Sequence, residues 1–107
     1  MMNTSHKIIQ TMQESYTDIP TLQAQRIALR LMKHWQHKFE VASTEQNIQI
    51  HMPNATVEMI PMDQHLRVRI RVQQEDVDLP RLQQVVIEHL ERMGQEPLQA
   101  EWQIQQL

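Results

Sequence analysis

The segment from Asp63 to Gly94 constrains the fold more than any other. Leu66, Val68, Ile70 and Val72 occupy every second position, with Arg67, Arg69 and Arg71 between them. A β-strand sends successive side chains to opposite faces, so this spacing predicts a strand with one apolar and one basic face. A short acidic turn, Glu75 to Asp78, leads into Leu79, Leu82, Val86, Leu90 and Met93, which recur at helical spacing. The apolar strand face needs a second layer to bury it, and the amphipathic helix that follows supplies one.

The rest of the chain extends this unit. Tyr16, Thr17 and Ile19 precede Pro20, which biases its predecessor toward extended geometry, so Ser15 to Ile19 is expected to be a strand. Residues 1–14 carry no pattern beyond Ile8 and Ile9 and are expected to form a weakly ordered arm, leaving 15–107 as a single domain. Thr21 is expected to cap a helix in which Ala24, Ile27, Ala28, Leu31, Met32, Trp35 and Phe39 share one arc, with Leu22 and Leu29 outside it. Three extended segments follow, Phe39 to Ala42, Asn47 to Met52 and Ala55 to Ile60. Pro53-Asn54 makes a tight turn and Pro61 to Gln64 a looser one. Asp76 or Asp78 suits the start of the second helix, Pro80 its first turn, and Gly94 the C′ position just past its end. In the tail, Leu98, Ala100, Trp102 and Ile104 alternate with polar residues and predict a closing strand. Connections this short join antiparallel neighbours. The expected fold is therefore α+β and two-layered: an antiparallel sheet of five to six strands with two helices on one face, in the order strand, helix, four strands, helix, strand.

Composition removes several classes of function. A chain of 107 residues supports one ordinary core. It has no cysteine, which excludes disulfides, thiolate metal sites and cysteine nucleophiles. Its one glycine, Gly94, cannot build a Walker A loop or a dinucleotide fingerprint. The net charge of -3 gives no general attraction to nucleic acid, and no aromatic side chains interleave with the arginines to stack bases. No segment is apolar enough to read as a signal peptide or a membrane span, so a cytoplasmic location is expected, with neither nucleic acid nor membrane as a partner.

Two groups of residues carry candidate chemistry. The first is His34 and His37, one helical turn apart, with His89 at the rim of the second helix beside Val85. Imidazoles at such spacing ligate metal or haem, although the same residues also suit a basic helix end and a backbone-bonded rim histidine. The second is Arg67, Arg69 and Arg71, with His51, Gln49 and Glu58 expected on the same sheet face. Arginine forks there would grip an acidic protein surface or a small anionic ligand such as a siderophore. The plainer account is a solvated face with one Arg–Glu cross-strand pair. For catalysis, Asp76 and Asp78 are accounted for by capping, and Glu88 and His89 diverge by about 100° on a helix. No serine stands in an elbow motif. The leading expectation is a non-catalytic binding or accessory domain, monomeric or homodimeric. The alternatives are a histidine-based metal or haem protein and a small enzyme built on an unfamiliar constellation.

The sequence also resembles a known family. Thr21 and Arg26, then Lys33-His34-Trp35 with His37-Lys38, Arg81-Leu82, Val85-Val86, His89-Leu90-Glu91-Arg92 and Trp102 together resemble Domain of Unknown Function 2218, over about residues 15 to 103. The chain departs from the family pattern at Ile27, Asn54 and Met93, positions of structural character. The resemblance implies no activity, cofactor or catalytic residue. It does imply a setting: similar domains stand alone or are joined to flavoproteins that look like siderophore-interacting ferric reductases. A siderophore-related flavoprotein is thus an expected partner, on association alone.

Overall fold

The computed structural model describes residues 13–74 and 77–106. The elements run β1 (Gln13–Pro20), α1 (Ala24–Trp35), β2 (Glu40–Ser43), β3 (Ile48–His51), β4 (Ala55–Pro61), β5 (His65–Val72), α2 (Leu79–Gly94) and β6 (Gln103–Gln106). Among the described residues the six strands form one sheet, ordered β2-β3-β4-β5-β1-β6, with every neighbouring pair antiparallel. The expected α+β fold and element order are those observed. Of the arm expected over residues 1–14, residues 1–12 lie outside the described residues, as does Asp76, while Gln13 and Glu14 belong to β1.

The alternation in β5 does what the spacing predicts. Leu66, Val68 and Ile70 are fully buried, and Val57, Met59, Ile50 and Ile19 from neighbouring strands share their face. Ala24, Ile27, Ala28, Leu31 and Trp35 of α1 close over them, together with Leu79, Val86 and Leu90 of α2. Each large side chain withdrawn from water in this way contributes about 1.5–3 kcal/mol, so this layer is the principal source of stability. α1 lies over β3, β4 and β5. The two helices run antiparallel side by side: Ile27 meets Gly94, Arg30 Nη1 donates to the Met93 carbonyl at 3.0 Å, and Trp35 packs on His89. Among the described residues no helix is long and apolar enough to cross a membrane.

The helix ends and the tail depart from expectation in four places. The N-cap of α1 is Gln23, without a side-chain cap bond; Thr21 stands two residues earlier, where its Oγ1 accepts from the Gln23 amide at 3.1 Å. Asp78 does cap α2, accepting from the Arg81 amide at 3.2 Å. Gly94 is the last residue of α2, and the left-handed position past it is taken by Gln95, at φ 54°. Gly94 serves close approach instead, to Ile27 of α1. The Pro61 to Gln64 turn is tighter than expected, because β4 runs through Pro61 and the Met62 amide donates to the His65 carbonyl at 2.9 Å. The closing strand is shorter than its alternation suggests. Leu98 to Trp102 is irregular because its polar backbone is held by side chains: the Leu98 amide donates to Glu91 Oε2 at 2.9 Å and the Glu101 amide to Thr17 Oγ1 at 3.1 Å.

Candidate functional site

With Leu66, Val68 and Ile70 committed to the helix side, Arg67, Arg69 and Arg71 must take the open face of the sheet. What faces them is decided by the neighbours of β5. β1 sets Asp18 opposite Arg67, Tyr16 opposite Arg69 and Glu14 opposite Arg71; β4 sets Glu58 opposite Arg69 and Thr56 opposite Arg71. The arginine row therefore lies between two acidic flanks.

Every arginine of the row is paired. Arg67 grips Asp18 with two nitrogens, Nε to Oδ1 at 2.7 Å and Nη2 to Oδ2 at 3.0 Å, and its guanidinium sits 5.8 Å from the Tyr16 ring centre. Arg69 bridges two carboxylates, with Nε 3.3 Å from Glu14 and Nη1 3.1 Å from Glu58. Glu58 is tied further by Asn47 Nδ2 at 2.6 Å. Among the described residues, Arg71 pairs with one carboxylate, Glu14, through Nη2 at 3.3 Å. Among the described residues, three guanidinium charges thus face three carboxylates, which balance one another. The hydrogen bond from Arg67, aided by its charge and those of His65 and Arg69 against the cost of desolvation, holds the Asp18 carboxyl below the usual carboxylate range. The same hydrogen bond raises Arg67.

The three arginines differ in what they have left to offer. Arg67 and Arg69 each direct two nitrogens at carboxylates, whereas Arg71 directs one and its side chain is 43% exposed. Around it lie Thr56, Gln49 and the exposed His51, whose Nδ1 is 3.4 Å from Thr56 Oγ1.

The histidines are divided. His34, in the last turn of α1, and His89 of α2 come together with ring centres 5.8 Å apart, and Trp35 lies 5.0 Å from the His89 ring. His37 is exposed beyond the end of α1 and does not join them. Among the described residues, no three His, Cys, Asp or Glu side chains are grouped so as to hold a metal ion. Trp102, the other tryptophan, is half-buried against the core beside Leu98 and Gln83.

With this arrangement in view, comparison places the chain. Residues 16–103 match the model of a family described as "Uncharacterized protein conserved in bacteria", DUF2218. The chain belongs to that family. The DUF2218 chain is also similar to the NMR structure of PA4090 from Pseudomonas aeruginosa, with 33% identity and a TM-score of 0.66 over 87% of this chain and 95% of that one. No curated protein matches it. Membership of DUF2218 thus supplies a fold and leaves the chemistry to the side chains.

Sequence reasoning found the arginines and Glu58 but not Glu14 or Asp18. The signal was present in the alternation of Glu14, Tyr16 and Asp18 with Ser15, Thr17 and Ile19. It pointed nowhere, because only the long-range pairing of β1 with β5 shows which strand those acids face.

Proposed function

We propose that this DUF2218 domain is a non-catalytic accessory module of the cytoplasm that binds a protein partner through the Arg71 corner of its open sheet face. The observation carrying this reading is the unequal pairing of the arginine row. Arg67 and Arg69 each direct two nitrogens at carboxylates, while among the described residues Arg71 directs one, to Glu14, and is the most exposed of the three, beside His51, Thr56 and Gln49. A face whose charges balance has little pull on a free anion. It suits a protein surface that offers one carboxylate to Arg71 and neutral polar groups around it, since a planar guanidinium recognises carboxylate with directional bonds. The resemblance to domains joined to siderophore-interacting flavoproteins makes such a flavoprotein the first partner to test, which would set the module in iron-siderophore utilisation.

The test is co-purification from iron-limited bacteria, read by flavin absorbance in the captured fraction. The parent chain and a helix-side control, Lys33→Glu, should retain the flavoprotein, and Arg71→Glu should lose it. Equal retention by Arg71→Glu, or no flavin in any capture, would overturn the reading.

A further inference from the structure

We propose that His34 and His89 form a two-imidazole site joining α1 to α2 that binds one late first-row divalent ion, such as Zn2+, Ni2+ or Cu2+. The site lies on the helix side of the molecule and does not depend on the sheet-face reading.

The ring centres stand 5.8 Å apart with planes inclined by 43°. A metal about 2.0–2.1 Å from each coordinating nitrogen puts the centres of two imidazoles about 5–6 Å apart at tetrahedral or wider angles. The observed separation falls within that range.

His89 is already oriented as a ligand. Its Nδ1 lies 2.8 Å from the Val85 carbonyl oxygen. A carbonyl only accepts, so Nδ1 carries the proton, and in the neutral ring Nε2 keeps its lone pair. Metal-binding histidines characteristically use their second nitrogen in this way, donating to a backbone carbonyl or carboxylate that fixes tautomer and ring orientation. Trp35, 5% exposed and tilted by 48° over the His89 ring at 5.0 Å, supports that orientation from the core side. His34 is exposed, so its ring is open to an ion arriving from solvent.

Imidazole suits zinc, copper and nickel, whereas magnesium and calcium prefer oxygen ligands. Among the described residues no third His, Cys, Asp or Glu completes the group. Water, or a donor from a bound molecule, takes the open positions. The ion would tie the last turn of α1 to the middle of α2.

Trp35 makes the site readable, since a paramagnetic ion beside His89 quenches its fluorescence; Trp102→Phe removes the other tryptophan signal. In that background, micromolar Cu2+ should quench saturably and with 1:1 stoichiometry. Zn2+ should raise the unfolding temperature, because a ligand selective for the folded state stabilises it by mass action. His34→Ala, at an exposed position with little part in folding, should weaken quenching about tenfold or more, as should His89→Gln, while His37→Ala should leave it unchanged. The proposal fails if His34→Ala is quenched at the same copper concentration as the parent, if His37→Ala weakens quenching equally, or if quenching does not saturate.

Discussion

Gly94 and Ile27 meet across the seam between α1 and α2: a Cβ at residue 94 would stand 2.8 Å from Ile27 Cδ1 and 3.0 Å from Cγ1. Ile27 is wholly buried, so its Cδ1 and Cγ1 would have to shift within a packed core. Gly94→Ala gains about 1 kcal/mol of helix propensity, but overpacking a filled core costs about 1–3 kcal/mol. Urea unfolding should show a net loss on the order of 1 kcal/mol. In the Ile27→Val background, which lacks the offending Cδ1, the same Gly94→Ala change should become neutral or stabilising.

Glu96 ties the start of α1 to the end of α2. Its Oε2 accepts from Thr21 Oγ1 at 2.9 Å and from Gln23 Nε2 at 2.6 Å, and Gln23 Nε2 also reaches the Gly94 carbonyl at 3.3 Å. Glu96→Ala strands the buried Thr21 hydroxyl and should cost about 1–3 kcal/mol. Thr21→Val removes that donor but also takes the acceptor from the Gln23 amide, and should cost about as much. A double-mutant cycle between the two should give a coupling of about 0.5 kcal/mol or more.

Within the arginine row, stability and binding should separate. Arg69→Ala leaves Glu14 and Glu58, whose side chains are 12% and 14% exposed, short of a shared cation, and should cost about 1–3 kcal/mol. Arg71→Ala removes one contact from a 43% exposed side chain and should cost at most about 1 kcal/mol. Chemical denaturation of the two variants tests the order. An equal or reversed ranking would mean that the ion pairs of Arg69 add nothing beyond a solvated surface pair.

Asp18 gives the row a pH signature of defined sign. Its folded pKa is depressed below the ordinary value of 3.8, chiefly by the hydrogen bond from Arg67. The pair therefore adds stability that is fully present above that ordinary value and is lost as pH falls through the lower folded one. Both side chains are a third or more exposed, so the contribution is that of a surface pair, about 0.2–1 kcal/mol. The stability difference between the parent and Asp18→Asn should be level from neutral pH to about pH 5, narrow below 3.8 and shrink in 1 M salt.

The parts of the fold legible in the sequence were those set by local periodicity. The alternation in β5 named its buried set, the apolar arc of α1 named Ala24, Ile27, Ala28, Leu31 and Trp35, and Asp78 and Pro80 marked the start of α2. Local signals failed where distant partners compete for the backbone. Thr21 looked like a cap but is drawn to Glu96, 75 positions away. The tail from Leu98 looked like strand, yet Glu91 and Thr17 take its amides. Gly94 looked like a left-handed residue, but its cause is Ile27 on the other helix.

The candidate sites divide along the same line. The sequence by itself determined which face of β5 the arginines occupy, because a period of two leaves no other choice once Leu66, Val68 and Ile70 are buried. Only the tertiary structure decided what those arginines are. By setting β1 and β4 on either side of β5 it placed Glu14, Asp18 and Glu58 against them, and so turned a basic row into a paired one in which Arg71 is the least engaged and most exposed. It also decided which histidines meet, joining His34 to His89 across the antiparallel helices and leaving His37 outside. Pairing between strands and crossing between helices depend on contacts made after long loops close, and no local pattern encodes which distant side chain will be on the other side.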